Sequence, residues 1–278
     1  MSREASSGSQ ARFPSMNHFA ALSAETDPAS YYQRFAAEVG LRDWAIANGR
    51  HVQLKLLVAE VMRSRTAQRI LDIGCGSGVM SSYLTKFGHV TGIDFSAPAI
   101  DIARLMVPAG DFRVGTVADL EHGETFDLIT LFDVLEHIPR TDRSDFLATV
   151  FKLLSPGGMI VASTPHPGHI RWLREFHPEL LQIVDEEVEP AHLIEVAGRH
   201  QLEMVGYTTY ALTQPRQYQV FTFAAAARQG DPAHLTPALH RRLRMIANPI
   251  TRPLHREVIA LIARLRGNRQ LARELRRQ

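Results

Sequence analysis

The sequence predicts an α/β protein with a mostly parallel β-sheet whose last strand is antiparallel, a helical cap before the sheet and a helical extension after it. Three observations predict this fold. From residue 69 onward, short apolar runs alternate with amphipathic segments, a β-α-β rhythm typical of a parallel sheet covered by helices on both faces. A glycine-rich turn follows the first apolar run, where such sheets bind ligands. The last two apolar runs have no helix between them, which indicates an antiparallel hairpin at one edge.

The elements follow from local patterns. Apolar residues at three- and four-residue intervals from Tyr31 to Met62 predict two helices that divide at Asn48-Gly49. Five strands are then expected over RILDI, HVTGID, FRV, FDLITLF and GMIVAST, the last after the turn SPGG at residues 155–158. Helices are expected over Ser77–Phe87, Pro98–Met106 and Ser144–Leu154. LEMVGYTTYAL and QYQVFTFAA form the hairpin, and the sheet ends near Ala227.

Composition divides the chain into a mobile arm at residues 1–30, a main domain at 31–227 that includes the helical cap, and an arginine-rich helical extension at 228–278. The extension has 12 arginines and three acidic residues, a net charge of +9, whereas the rest of the chain has a net charge of −7. One helical face of the extension, from Leu254 to Leu265, is apolar. It could pack on the acidic main domain, form a homodimer contact or lie on an anionic membrane surface; nucleic acid is disfavoured.

Several classes of protein are excluded by composition. Hydrophobic residues make up 45% and charged residues 22% of the 278 residues, which excludes a wholly disordered chain. No apolar run approaches the roughly 20 residues that span a bilayer, and the first 25 residues contain no hydrophobic segment of signal-peptide type. A single cysteine, Cys75, cannot form an internal disulfide, so a cytoplasmic location is expected.

The turn after the first strand, LDIGCGSG at residues 71–78, carries the strongest functional signal. Its spacing is G-x-G-x-G, and Val79 stands where a dinucleotide-binding fingerprint has its third glycine. Asp72 precedes the loop, where a carboxylate would repel a pyrophosphate and attract a cation. Asp94 ends the second strand, in a position to accept hydrogen bonds from two ribose hydroxyls. The ligand implied has a ribose, a cationic part and no phosphate.

These motifs, with VTGIDFS, FDLITLFDVLEHI and LLSPGGMIVASTP further along the chain, resemble those of the Rossmann-like class I S-adenosylmethionine-dependent methyltransferases over about residues 31–227. Within that superfamily the chain is similar to the ubiquinone-biosynthesis O-methyltransferases, with which it shares Thr116-Val117, LEHIP and STP after the third, fourth and fifth strands. It carries the arginine-rich extension in place of their C-terminal segment, which leaves the acceptor open. The resemblance implies S-adenosyl-L-methionine as the cofactor.

The resemblance also implies which residues hold the methionine part of that cofactor. Gly74 and Gly76 would pass beneath it, and Asp72 would orient its amino group. Phe132 would line the methionine side. Arg50 is a candidate partner for the cofactor's carboxylate, and the alternative is a solvated arginine on the surface of a helix.

For the adenosine part, the resemblance places Asp94 on the ribose and Phe95 against the adenine. Thr116 and Val117 would follow the edge of the adenine, although many relatives have an acid in place of Thr116. Cys75 belongs to the same cofactor-binding loop, and nothing in the sequence places a base beside it for nucleophilic chemistry.

Two histidines are candidate catalytic bases, because imidazole is suited to deprotonating a hydroxyl near neutral pH. His137 follows the fourth strand, and His166 follows the fifth between two prolines. The pattern D-x-x-E-H formed by Asp133, Glu136 and His137 could instead hold a divalent metal weakly, which is disfavoured.

An apolar stretch at residues 168–188 is either a lid over the acceptor or a helix on the edge of the sheet. A lid would favour a hydrophobic or aromatic acceptor. The expected function is therefore methyl transfer to such a small molecule at a hydroxyl. The alternatives are an N- or C-methyltransferase, an RNA or protein methyltransferase, or a non-catalytic cofactor-binding module.

Overall fold

The computed structural model describes the main domain of the chain. The residues described are Asp27, 30–33, Gly40, Trp44, 49–63, Arg65, Ala67, 69–120 and 123–226. Both the predictions for the N-terminal arm, up to residue 26, and those for the arginine-rich extension lie outside these residues. Of the two helices predicted before the sheet, the second is described in full and the first only at residues 30–33, Gly40 and Trp44, all of which are helical.

Within the described residues, seven strands form one sheet in the order β3-β2-β1-β4-β5-β7-β6. Their bounds are β1 Arg69–Ile73, β2 His89–Asp94, β3 Asp111–Val114, β4 Phe126–Phe132, β5 Leu154–Pro165, β6 Leu202–Tyr210 and β7 Tyr218–Ala225. Strands β1 to β5 pair in parallel, and β7 runs antiparallel to both β5 and β6. The predicted fold is confirmed, with the antiparallel pair at one edge.

Helices connect these strands. Their bounds are α1 Gly49–Met62, α2 Val79–Leu84, α3 Ala97–Met106, α4 Arg143–Lys152, α5 Pro167–Phe176 and α6 Pro190–Arg199. Helix α3 has a proline in its first turn, as predicted, and Ser96 caps it by accepting a hydrogen bond from the Ala99 N–H at 3.4 Å. Helices α5 and α6 also begin with proline.

Three local differences separate the structure from the sequence predictions. Helix α2 is shorter than predicted, because Gly78, with φ of +84°, still belongs to the preceding loop. Strand β5 begins at Leu154, and the residues predicted as a turn form a bulge in its pairing with β4, in which Gly157 has φ of +79°. Helix α6 was not predicted.

Apolar side chains on alternating positions of the strands form the core on the two faces of the sheet. On one face, Val58 and Met62 of α1 pack with Ile70 and Leu128. On the other, Leu71 packs in a separate cluster with residues of α4 and α6. Strand β1 lies between β2 and β4, so the order of the strands along the chain reverses direction at β1. The carboxyl ends of β1 and β4 therefore border the crevice where folds of this kind bind ligands.

Candidate active site

A cavity of about 730 Å³ opens at the carboxyl ends of β1, β2 and β4. All ten residues that sequence analysis assigned to the cofactor line it: Arg50, Asp72, Gly74, Cys75, Gly76, Asp94, Phe95, Thr116, Val117 and Phe132. His137 also lines the cavity, whereas His166 is not among the lining residues. The volume lies within the range of small-molecule and cofactor sites.

The glycine loop is held against β2 and needs its glycines. The N–H groups of Gly74 and Cys75 both donate to the carbonyl of Ile93, at 2.8 and 3.2 Å. Gly74 and Gly76 have φ of +66° and +51°, a conformation that favours glycine. A Cβ on Gly74 would lie 2.5 Å from Val134 Cγ2, but one on Gly76 would meet nothing within 4 Å. The backbone at Gly76 therefore borders open space, a cradle that a ligand can fill.

The carboxylate of Asp94 is fixed at the end of β2 by two backbone donors. Its Oδ2 accepts from the Gly76 N–H at 3.0 Å and its Oδ1 from the Ser96 N–H at 2.9 Å. Burial raises the pKa of this carboxyl, and the two hydrogen bonds oppose the increase. Each oxygen keeps further acceptor capacity, so the oriented carboxylate can bind a pair of neighbouring hydroxyls.

Asp72 lies deeper in the wall of the cavity, and its side chain is held by two hydroxyls. Ser81 Oγ donates to Oδ2 at 2.6 Å and Thr130 Oγ1 donates to Oδ1 at 2.7 Å. The residue is only 2% exposed. Burial raises its pKa from 3.8 to about 6 even though both hydrogen bonds lower it. A buried acid of this kind would be stabilised in its ionised form by a cationic ligand beside it.

This raised pKa predicts a pH-dependent stability that Asp72→Asn should remove. Because the folded state holds the Asp72 proton more tightly than the unfolded chain does, ionisation of Asp72 destabilises the ligand-free fold as pH rises from about 4 to about 6. Relative to Asp72→Asn, the wild type should lose up to about 3 kcal/mol of unfolding free energy over this window. Urea denaturation at pH 4.5, 5.5 and 7 measures the difference, and parallel pH dependences would contradict the assignment.

At the end of the cavity that lies after β2 and β3, Val117 is buried and Phe95 forms part of the rim. Phe95 is 42% exposed, and the Tyr32 ring lies edge-on to it with 6.1 Å between centroids. The hydroxyl of Thr116 is committed to local structure: it donates to Asp119 Oδ2 at 3.0 Å and caps a short 3₁₀-helix. Thr116 can therefore border a ligand, but its hydroxyl already has a partner. Burial raises the pKa of the Cys75 thiol.

At the other end, Arg50 forms an ion pair with Asp133. Asp133 directly follows β4 with φ of +57°, and its Oδ1 accepts from Ser163 Oγ at 3.2 Å. Arg50 is therefore part of the cavity wall and not a solvated helix residue. Tyr218 lines the same end, and burial raises its pKa to about 12.

His137 is oriented by the segment Leu181–Val188, which we call the strap. The carbonyl of Val184 lies 2.6 Å from His137 Nδ1, and since a carbonyl only accepts, Nδ1 carries the proton that it donates. The Tyr32 hydroxyl donates to the same carbonyl at 3.0 Å, and Asp185 Oδ1 lies 3.4 Å from Nδ1. In the neutral ring, this leaves the lone pair on Nε2.

His166 has a different role in the structure. Its Nδ1 accepts from the Gly168 N–H at 3.0 Å and so caps the N-terminus of α5. Burial, together with Arg216 and Arg171, lowers its pKa. Of the two candidate bases, the structure brings only His137 to the cavity.

The stretch expected to be either a lid or an edge helix divides between these roles. Gln182 of the strap lines the cavity. Helix α5 buries Ile170, while Phe176 beyond it is 58% exposed. One residue of the strap therefore borders the cavity, whereas no residue of α5 is among the lining residues.

Several lining residues were not found by sequence analysis, among them Tyr32, His51, Gln182 and Tyr218. His51 faces the cavity from α1, and burial lowers its pKa to about 4, so the ring is neutral near pH 7. Its position three residues before the apolar Leu54 is the signal that could have placed it on the buried face of the helix.

Glu136 is buried, and its Oε2 has no hydrogen-bond partner in the part of the chain that the structure describes. Burial and the nearby Asp133 raise its pKa well above the ordinary value.

Within the described ranges, no three His, Cys, Asp or Glu side chains are grouped to hold a metal ion. No helix among those residues is long and apolar enough to cross a bilayer.

The chain is similar in sequence to known proteins. The profile of the family described as "Methyltransferase domain" matches residues 70–158. A ubiquinone biosynthesis O-methyltransferase of Pasteurella multocida (strain Pm70) is 31% identical over 184 residues, covering 56% of this chain and 75% of that protein. One from Bradyrhizobium sp. (strain ORS 278) is 36% identical over 111 residues, 38% of this chain and 43% of that protein.

Solved structures show the same fold. Magnesium protoporphyrin IX methyltransferase from Synechocystis PCC 6803, with bound S-adenosylhomocysteine, matches with a TM-score of 0.58 at 16% identity, covering 72% of this chain and all of that one. The N-methyltransferase NodS from Bradyrhizobium japonicum WM9 matches with a TM-score of 0.56 at 17% identity, over 76% of this chain and 98% of that one.

The chain belongs to the class I S-adenosylmethionine-dependent methyltransferases. It is an enzyme of this class, its cofactor is S-adenosylmethionine, and its acceptor is consistent with a small molecule.

Proposed function

We propose that this enzyme methylates a hydroxyl oxygen of a small hydrophobic or aromatic acceptor, with His137 as the general base. The observation that carries the proposal is the Val184 carbonyl at 2.6 Å from His137 Nδ1. A ring whose Nδ1–H is engaged in this way presents Nε2 as the proton acceptor at the wall of the cavity.

The cofactor would bind along the ten lining residues in the arrangement that the sequence predicts. The open space beside Gly76 supports this fit, since a side chain there would fill the cradle. Asp94 would accept hydrogen bonds from the ribose hydroxyls, and Asp72 would stabilise the ammonium of the methionine part. Phe95 and Val117 would flank the adenine. Arg50 would contact the carboxylate and, at the same time, the Asp133 side chain.

S-adenosylmethionine, when bound, supplies a methyl group already activated by its sulfonium. The protein must then align the acceptor, exclude water and remove one proton. His137 Nε2 would take the hydroxyl proton while the oxygen bonds to the methyl carbon and the methyl–sulfur bond breaks, with S-adenosylhomocysteine as the leaving group. Asp185 Oδ1, 3.4 Å from Nδ1, would stabilise the imidazolium that forms. The strap, with Gln182, would limit the access of water.

The acceptor end favours an apolar, planar molecule. Leu212 and Tyr218 line it beside the start of α1, and the ring of Tyr210 stacks on Tyr218 with 5.2 Å between centroids and 10° between planes. Aromatic walls of this kind bind rings through apolar contact and offset stacking.

An amine acceptor is the second candidate, because two carboxyl groups are near the base. Glu136 is buried and directly precedes His137 in the chain, and Asp185 Oδ1 lies 3.4 Å from His137 Nδ1; each would attract a cationic amine when ionised. Methylation of a free amine does not need a strong base, so this reaction would depend less on His137.

An acceptor screen with ¹³C-methyl-labelled cofactor tests the proposal. Paired probes, phenol against aniline and catechol against benzylamine, differ in the nucleophile while keeping the ring. Mass spectrometry and NMR of the product locate the methyl group, and we expect it on oxygen. Methylation of the amines alone would contradict the proposed function and favour the second candidate.

A further inference from the structure

We infer that Arg143, a buried arginine outside the cavity wall, is a positioning residue that aligns His137 with the carbonyl that orients it. The inference rests on the proposed function, in which His137 is the base. It concerns a residue that neither the sequence motifs nor the cavity lining identifies.

Arg143 lies in the first turn of α4 and is the largest fully buried side chain among the described residues, at 1% exposure. Its guanidinium binds on both sides of His137 in the chain. Nε donates to the carbonyl of Leu135 at 3.1 Å, and one terminal nitrogen donates to the carbonyl of Ile138 at 3.0 Å. These two bonds fix the short helical turn that carries the base.

The other terminal nitrogen of Arg143 reaches the strap. It donates to the carbonyl of Glu187 at 3.1 Å, three residues from Val184 and two from Asp185. The guanidinium of Arg143 thus joins two segments that are more than 40 residues apart in the chain. One is the turn that carries His137, and the other is the strap, which carries Val184 and Asp185.

Neighbouring contacts strengthen the same junction. The Glu186 N–H donates to the carbonyl of Glu136 at 2.9 Å. The Oε2 atom of Glu186 accepts from the Arg140 N–H at 2.8 Å. At the end of the strap, Gln219 Nε2 donates to the carbonyl of Val188 at 2.7 Å. Both ends of the Val184–Val188 segment are therefore tied to the body of the domain.

Packing alone does not explain an arginine at this position. Burying a guanidinium is strongly unfavourable unless its donors are satisfied, and burial here lowers the pKa of Arg143. An apolar side chain would fill the volume but would leave the three carbonyls without this donor. Lysine would not replace arginine here, because its compact ammonium cannot donate to three carbonyls that lie in different directions, as the planar guanidinium does.

The test compares Arg143→Lys and Arg143→Gln with the wild type as full-length protein loaded with S-adenosylhomocysteine. Leu147→Ala, a buried residue on the same helix, is the control for a loss of stability alone. Ring ¹⁵N shifts of His137, assigned by their absence in His137→Gln, report the tautomer without any acceptor. We expect a single Nδ1–H tautomer in the wild type and in Leu147→Ala, and a mixture with Nε2–H in the Arg143 variants.

Turnover of catechol gives a second readout through a double-mutant cycle. Arg143→Lys should lower kcat about 10- to 100-fold, the scale expected when a catalytic group is misplaced by about 1 Å, with cofactor affinity within about twofold of wild type. In a His137→Ala background the same substitution should have no further effect on kcat.

The outcomes separate this inference from the proposed function. An unchanged His137 tautomer in both Arg143 variants, or an equal loss of kcat with and without His137, overturns the positioning role and leaves the base assignment intact. Full turnover of His137→Ala contradicts the base assignment and, with it, the inference. If Arg143→Lys does not fold, the tautomer in Arg143→Gln decides.

Discussion

Replacing His137 by alanine should lower turnover of a hydroxyl acceptor by about 10²- to 10⁴-fold, the usual contribution of a general base. The affinity for S-adenosylhomocysteine should stay within about twofold, because the ring is proposed to contact the acceptor proton and not the cofactor. Single-turnover kinetics with excess enzyme measure the chemical step, and calorimetry measures the affinity.

His166→Ala is the matched control, since His166 caps α5 and does not line the cavity. It should lose at most about 1–2 kcal/mol of stability through the cap and keep its rate of methyl transfer. If the His166 variant is the slower of the two, the base has been assigned to the wrong histidine. If both variants keep full turnover, an acceptor that needs no base is favoured.

Asp94→Ala should weaken binding of S-adenosylhomocysteine by roughly 1.5–3 kcal/mol, the range for hydrogen bonds to a charged group. The loss has two sources. The ribose hydroxyls would lose their acceptor, and the N–H groups of Gly76 and Ser96 would lose the carboxylate that now fixes the loop. Isothermal titration calorimetry at constant pH measures the change.

Asp101→Ala provides the control for charge alone, because this carboxylate is exposed on α3 and pairs with Arg104. Its affinity for S-adenosylhomocysteine should equal that of the wild type. An Asp94 variant that binds as tightly as the Asp101 variant would refute the ribose assignment.

The sheet could be predicted because its signals are local, and so could the place in the cavity wall of residues at the ends of its strands. Short apolar runs in the sequence predict the strands. Asp72, Gly74 and Asp94 lie at or next to the ends of strands, and the parallel topology brings these ends together. The bulge at residues 155–158 was missed, since a Pro-Gly-Gly sequence is typical of a turn and the pairing of Leu154 with Phe126 depends on the neighbouring strand.

The acceptor half could not be predicted in the same way. Val184 contacts His137 through its backbone carbonyl, and the type of side chain at that position therefore gives no sign of the contact. Tyr32 and Tyr218 come from distant segments that carry no shared motif. Arg143 looks like an ordinary helix residue in the sequence, and only the fold shows that its first-turn position faces the core. Helix α6 did have a signal, in Pro190 and the spacing of Leu193, Val196 and Ala197.

The strap has a consequence for how this enzyme could change its substrate. Apart from Arg50 on α1, the residues proposed to bind the cofactor belong to the sheet and its first loops. Gln182, which borders the cavity, and the strap groups that orient His137 belong to one connection between β5 and β6. Under the proposed function, acceptor selectivity and the alignment of the base would therefore depend on the same segment outside the sheet. Grafting this connection from one homologue to another would transfer both properties at once, provided that the recipient also has an arginine at the position of Arg143 to receive it.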